Sequence, residues 1–541
     1  MGSASENLQA LIREFYSVWF RFHPAAVLKA GVSGYAGTLP AVRDDDVGAL
    51  GSWLESTIVG LEEIDFHALA PAEQIDLELL FGACRDEYQA ILKRDWRHRD
   101  PLAFMPFQTI CRLLLDAGGE GQAALEACLK GIPSFLSQAR SVLAEFPGFI
   151  PRIWVDVALR VGDDGVAFLR QLSDKDDTTA DLRALCEQVA QAVADYLKFL
   201  REDIAPAAEG TAVCGEQRFR EQLRLRHHLP DRLDAPLELA RQIYQATRAE
   251  LGVLSLEQCG SSDPRAWLEK LSRRDPLQHD AKLQYVRRRQ LEIHGLLTQS
   301  GQFVMPDSAS LELRQAPEEC QLECAPVYRA PLPGGGGSPG VLYLEQALSG
   351  GSADTPERLT AWCVHNAWPG RHMQAAAASR LAGTLVRRVN HSSSQQVGWS
   401  LYAEQLMHEL GFFPEPEYAL YRLQERLRRS LLAVLDIEMH VHGMATAGAL
   451  LQLQALPGQS AEEAARDLLS LTRHPTQHLA GVLAWKQLET LRQWQSDRGD
   501  LPPADFHALL LAQGSIAMPL VIRRVFGAQA WAWVEAQLYN Q

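Results

Sequence analysis

Two histidines, His365 and His372, flank a Pro369-Gly370 break in the stretch Cys363-Val364-His365-Asn366-Ala367-Trp368-Pro369-Gly370-Arg371-His372-Met373-Gln374. Imidazole pairs bind transition metals or move protons near neutral pH. Seven residues make about two helical turns, so on a straight helix both rings share one face, roughly 10 Å apart. That is too far to share a zinc ion at Zn–N distances of ~2 Å. The i,i+4 spacing of HExxH avoids the difficulty. Here Pro369-Gly370 offers another route, a break that folds His372 back. On spacing alone the pair also reads as two ordinary helix histidines.

Four further blocks follow in order. They are Val397-Gly398-Trp399-Ser400-Leu401-Tyr402-Ala403-Glu404-Gln405-Leu406, Asp436-Ile437-Glu438-Met439-His440, Pro475-Thr476-Gln477, and the segment from Phe506-His507 through Gly514-Ser515 to Pro519-Leu520. Near the start, Phe22-His23-Pro24, Gly31 and Gly34-Tyr35 add to the set. Together they resemble the bacterial unknown-function domain family 885. Its pattern is roughly HExxPGHHxQ, EGWALYAE, DTGIH, PGQ and FHxxLLxxGSxPL, and its members look like zincin-type metallopeptidases. The resemblance covers most of the chain and is strongest over 360–525. It implies a mainly α, zincin-like helical architecture with a deep cleft and a small β element near 301–345.

Carried over position by position, His365 matches the first metal ligand of the family pattern. His372 keeps one of its two adjacent histidines, and Arg371 replaces the other. Asn366 stands where the resemblance places the general base, a Glu. Val397 stands where the second block has the Glu that looks like the acidic ligand. Tyr402, Glu404, Asp436 and His440 match their blocks, Thr476 replaces a Gly, and Gln477 is kept. The resemblance therefore implies a zinc set of His365 and His372, with Glu404 as substitute acid. It places Asn366, Tyr402 and His440 at catalytic positions, and Arg371, Asp436 and Gln477 against a peptide or amino-acid-like small molecule.

The two lost glutamates matter most. General base help is worth ~10²–10⁴-fold, and an amide cannot accept the proton. Zinc sites usually need three protein ligands, and Val397 can supply only an apolar wall. His391, Glu438 and His442 are other nearby donors. Structural roles compete at several positions: Asp436 and His440 as an i,i+4 pair, Trp399 and Tyr402 as core, His507 as packing or a cap. Three readings follow. The first is a metallopeptidase-like protein with a degenerate motif, re-tasked or inactive, that binds a peptide or amino-acid-like molecule. The second is an active metal-dependent peptidase with substitute ligands. The third is a non-enzymatic helical scaffold.

Most of the surrounding sequence has helical periodicity. Glu6 to Phe22 places Leu8, Leu11, Ile12, Phe15 and Trp19 at spacings of three and four, and Pro24 is expected to close that helix. Further helices are expected over about 73–94, 121–131, 136–145, 178–203, 233–255 and 281–297. Asp163-Asp164-Gly165 reads as a turn or helix start. The segment 301–350 is rich in Pro and Gly, with short strands expected at 310–314 and 341–344 and a flexible tip at Gly334 to Gly337. Helices resume over about 356–382, 393–411, 415–443, 446–454, 460–472, 475–498, 503–513 and 519–539. Two lobes, 1–300 and 301–541, are expected, or one continuous unit.

The 541 residues carry a net charge of −15 and 47% hydrophobic residues. That balance is globular and lacks the basic footprint of a nucleic-acid binder. No apolar run approaches a membrane span, and the first residues lack the pattern of a signal peptide, so a cytoplasmic location is expected. Nine cysteines are scattered, with Cys320 and Cys324 the only close pair, and reduced core thiols are expected. No GxSxG elbow or strand-linked GxGxxG points to a serine hydrolase or a dinucleotide fold.

Overall fold

The computed structural model describes all residues except 1–2, 33, 116–118, 177, 275–276, 278, 308–309, 317–327, 333–338, 345–353, 381–383, 391 and 540–541. The expected glycine tip at 334–337, the Cys320–Cys324 pair and His391 lie outside the described residues. The chain divides into two units, one over Met1–Ala212 and one over Val213–Gln315 with Tyr328–Gln541.

The first unit holds α1 (Ala4–Trp19), α2 (Pro24–Ala30), α3 (Asp44–Glu62), α4 (Pro71–Arg94), α5 (Phe107–Leu115), α6 (Gly119–Leu143), α7 (Arg152–Ser173) and α8 (Ala180–Phe199). A Ser3–Glu6 capping box starts α1. Three sequence expectations change here. Pro24 does not close α1; it opens α2, where its missing N–H costs nothing. A single helix, α6, runs through Pro133 where two were expected. Buried Leu129, Ile132, Phe135 and Leu136 flank that proline, and their packing outweighs the lost backbone bond. Asp163-Asp164-Gly165 lies inside α7. Gly165 is needed there because an added Cβ would lie 2.0 Å from the Phe107 ring.

The second unit begins with α9 (Glu216–His227), α10 (Asp234–Cys259), α11 (Pro264–Ser272) and α12 (His279–Ser300). Three strands follow: β1 (Leu311–Gln315), β2 (Tyr328–Arg329) and β3 (Gly340–Leu344). Their order is β1-β3-β2, with β1 parallel and β2 antiparallel to β3. Then come α13 (Pro356–Asn366), α14 (Arg371–Arg380), α15 (Leu385–Val389), α16 (Ser393–Glu409), α17 (Pro416–His440), α18 (Thr446–Gln454), α19 (Ala461–Arg473), α20 (Gln477–Arg498), α21 (Pro503–Leu511), α22 (Met518–Val521) and α23 (Ala528–Leu538). The protein is mainly α with one small sheet, as the sequence implies. The expected helix over 519–539 is interrupted at Gly527, whose φ of +93° no ordinary residue holds easily.

In this unit α16 and α20 cross at close range. A Cβ at Gly398 would sit 2.6 Å from the Ala484 methyl and 2.7 Å from the Trp485 nitrogen. Across the same crossing, a Cβ at Gly481 would lie 3.0 Å from Val397 Cγ1. Two glycines thus let the backbones approach, and Val397 fills the contact beside them.

Candidate functional site

The break between the two motif histidines is real, and its cause is local. Thr355 caps α13 by accepting the Arg358 N–H, and Pro356 takes the first helical position. Just before it, Asp354 is tied to the buried Lys282 ammonium of α12 at 2.6 Å. The helix stops at Asn366, and the chain turns back through a cis Trp368–Pro369 bond. At Gly370 a Cβ would lie 2.0 Å from the His365 carbonyl oxygen, so only glycine lets the chain cross the helix end. Trp368 and Trp399 lock the turn, donating to Gln290 at 2.9 Å and to the Pro369 carbonyl at 2.8 Å.

His365 and Glu404 meet across α13 and α16. The His365 Nδ1–H donates to Glu404 Oε1 at 2.5 Å, and Ser400 donates to the His365 carbonyl at 3.2 Å. Glu404 is buried, whereas 21% of the His365 side chain is exposed. The second Glu404 oxygen accepts no hydrogen bond from the described residues.

His372 turns the other way, into the sheet. It is fully buried, and both ring nitrogens are engaged: Nδ1 with the Tyr328 hydroxyl at 2.9 Å and Nε2 with the Ser310 hydroxyl at 3.2 Å. One hydroxyl donates and the other accepts, as a neutral ring requires. Burial holds its pKa at about 3, with Arg380 adding to the effect. Gly340 on β3 is needed beside it, since a Cβ there would be 2.8 Å from Nδ1.

Arg371, the preceding residue, is half-buried with its guanidinium 5.2 Å from the Tyr328 ring centre. Among the described residues it has no ion-pair or hydrogen-bond partner. Burial, above all, pushes it below the ordinary arginine range; Tyr328 opposes that shift and Arg429 adds repulsion. Arg429 on α17 donates to Glu425 at 2.6 Å, and Arg428 pairs with Glu425 at 3.2 Å and with Asp467. Burial raises the Glu425 carboxyl, but Arg429, Arg428 and His365 together hold it well below the usual range. Of these groups, Arg429 meets Glu425 directly and His365 meets Glu404; Arg371 and Arg429, and Glu425 and His365, bear on each other only through their charges.

The remaining expected site residues lie as follows. The Asn366 amide donates to the Trp362 carbonyl of its own helix at 3.1 Å. Tyr402 is buried and bonded to His507 Nε2 at 2.6 Å, while His507 Nδ1–H donates to the Gln302 carbonyl at 2.7 Å. His440 accepts the Cys214 N–H at 3.1 Å and donates to the Leu471 carbonyl at 2.9 Å. Asp436 accepts the Thr476 and Leu479 N–H groups at 3.0 and 3.1 Å, a cap for the start of α20. Burial pushes its carboxyl up to about 7 against those backbone bonds. Gln477 is half-buried at the first position of α20.

Thr476, which replaces the family glycine, sits at φ +72°. Its Oγ1 bonds His227 Nε2 at 3.0 Å, and His227 Nδ1 bonds the Ser394 hydroxyl at 3.2 Å. This buried strut was not foreseen, because its members lie far apart in sequence. The Glu425, Arg428, Arg429 cluster was also missed, although its i,i+3 and i,i+4 spacing on a helix is a readable signal.

The fit to zinc can be tested on these donors. Among the described residues no three His, Cys, Asp or Glu side chains come together to hold a metal ion. His365 and Glu404 form a pair, His372 is committed to Tyr328 and Ser310, and Val397 packs against Gly481. In this arrangement the residues do not fit a zinc site. An open groove of about 730 Å³, lined by Tyr244, Arg248, Arg265, Leu427 and Leu456 among others, includes none of the motif residues.

A mainly helical protein with a half-exposed, charged motif at the end of α13 is the class that the fold and site define. The chain belongs to the family described as "Bacterial protein of unknown function (DUF885)", whose model matches residues 24–525. Two solved structures share its fold. A "putative lipoprotein of unknown function" from Shewanella oneidensis matches with TM-score 0.75 and 17% identity, over 97% of this chain and 100% of that one. A "putative lipoprotein" from Colwellia psychrerythraea matches with TM-score 0.80 and 16% identity, over 100% of both chains. No curated protein matches the chain. Among the described residues no helix is long and apolar enough to cross a membrane.

Proposed function

We propose that this protein is a zincin-like, metallopeptidase-derived member of its family whose motif region binds a peptide or amino-acid-like small molecule without zinc hydrolysis. The observation that carries the reading is Arg371, a half-buried guanidinium stacked on Tyr328 with no carboxylate partner among the described residues. A desolvated, unpaired cation costs stability, and an incoming carboxylate offsets that cost with a two-pronged, charge-assisted contact. The catalytic losses agree with this reading. The Asn366 amide is turned onto its own helix, and position 397 carries no acid.

The experiment is calorimetric titration of the protein with alanyl-alanine, in chelator and then with added zinc, beside elemental analysis of protein purified without metal resin. Binding in chelator that is lost when the dipeptide is amidated at its C-terminus supports the reading. Near-stoichiometric zinc that disappears in His365→Ala favours the metal-dependent peptidase instead, with His372 released from Tyr328 and Ser310. No binding in either state, with a protein partner recovered, favours the scaffold.

A further inference from the structure

Away from the motif, α10, α17, the start of α11 and the turn after α18 enclose the open groove of about 730 Å³. Its floor is apolar, since Leu251, Leu427 and Leu456 line it and are buried. Its walls are tied in place. Arg265, near the start of α11, donates to the Ala455 carbonyl just after α18. Two residues further on, the Pro457 carbonyl accepts Gln424 of α17 at 3.0 Å. The groove is therefore preformed, not a gap beneath a loose turn. Tyr244 and Arg248, at i,i+4 on α10, share one helix face and both line it. The charges of the lining are unequal. Asp263 is already committed: it accepts the Arg265 N–H at 3.1 Å and pairs with the Arg265 guanidinium at 3.6 Å. Arg248 has no hydrogen bond or ion pair among the described residues. In a chain of net charge −15, the groove thus carries an unmatched positive charge.

We infer that this groove is a second binding site, separate from the motif region, for a small carboxylate with an apolar body. The carboxylate meets Arg248, and the hydrocarbon lies along Tyr244 and the three leucines. The volume falls within the ~300–1,000 Å³ usual for sites that take small organic ligands. Each CH₂ buried on the apolar floor strengthens binding by about fourfold. The planar guanidinium matches a carboxylate with two parallel hydrogen bonds. A single free arginine balances a monoanion, whereas a phosphate monoester brings a second charge with no free partner in the lining. A cationic head group meets only Asp263, which Arg265 already holds. Arg248 is exposed, so water screens its contact and limits its share to about fivefold in affinity.

The test is calorimetric titration of the full chain with hexanoate, propanoate, hexanamide and hexyl phosphate. Hexanoate is expected to bind roughly tenfold or more above propanoate and about fivefold above hexanamide. Arg248→Met keeps the apolar stem and should abolish the preference over hexanamide. Ala249→Trp, at an exposed position of α10 that lines the groove, should fill it and weaken both probes. Neither side chain belongs to the core, and circular dichroism checks that both variants fold; if one does not, the other and the wild-type ratios decide. Equal affinity for hexanoate and hexanamide overturns the charged head group. Tighter binding of hexyl phosphate than of hexanoate overturns the monoanion. Hexanoate affinity unchanged in both variants places the binding elsewhere and overturns the site. So does a loss of hexanoate binding in Arg371→Met, which should leave all four affinities as they are and so separates this site from the motif region. No binding of hexanoate at 10 mM, about a hundredfold above a 0.1 mM Kd, overturns the proposal outright.

Discussion

If Arg371 is held for a ligand, removing its charge should stabilise the empty protein and cripple binding at once. Arg371→Met keeps an unbranched apolar stem over Tyr328 and deletes the guanidinium. A fully buried, unpaired charge costs several kcal/mol, but Arg371 is only half-buried, so solvent screening removes most of that penalty. The stack on Tyr328, at 5.2 Å, offsets a further ~0.5–2 kcal/mol. The net gain for the empty protein is on the order of 1 kcal/mol, a melting-temperature rise of about 1–2 °C in a chain this long. The ligand side is larger. A hydrogen bond to a charged group is worth ~1.5–3 kcal/mol, or about 10–150-fold in Kd. Arg371→Lys should fall between, since an ammonium keeps the charge but loses the planar fork and the stack. Scanning fluorimetry and calorimetric titration on the same preparations decide it. A lower melting temperature with unchanged Kd in Arg371→Met would refute the reasoning and make the guanidinium a strut.

Three further outcomes follow from the geometry. His227 and His507 are buried and neutral, with pKa values lowered to about 3 and about 4, chiefly by burial. Their folded values lie below the unfolded one of ~6.5, so their contribution is complete above that pH and is lost as pH falls toward the folded values. Each should cost about 2 kcal/mol by pH 5, whereas Asp436, raised to about 7, works in the opposite direction over 3.8–7. Urea midpoints should therefore drop between pH 8 and 5, and a flat or rising series counts against buried neutral histidines. Thr476→Val should destabilise by about 1–3 kcal/mol by leaving His227 Nε2 without its partner. Thr476→Gly loses the same bond but relieves about 1–2 kcal/mol of left-handed strain, so its urea midpoint should lie above that of the valine variant. Gly398→Ala should cost about 1–3 kcal/mol by forcing α16 and α20 apart, measured again as a urea midpoint, and a neutral result would mean that the crossing is looser than the 2.6 Å approach implies.

Local patterns determined a great deal of this protein. Periodic apolar residues and Pro or Gly punctuation placed most helices within a few residues of their observed ends. The break at Pro369-Gly370 was legible because those two residues constrain the backbone wherever they occur. So was the short strand pair in 301–345, with β1 at 311–315 and β3 at 340–344. Family membership could be read from five ordered blocks, which need no coordinates.

What the tertiary structure alone decided is which side chains face one another. Pro133 stays inside α6 and Gly165 inside α7 because distant packing overrides a local breaker. His365 and His372 are equivalent by residue type, yet one meets Glu404 at the half-exposed end of α13 and the other is absorbed by Tyr328 and Ser310. Asp436, Tyr402 and His440 match family blocks, and each finds a buried backbone or ring partner from an element more than 30 residues away. Sequence spacing fixes the angle at which a side chain leaves its own helix. Only the packing of other helices fixes what it meets, and hence whether a histidine or arginine is left with a free valence for chemistry.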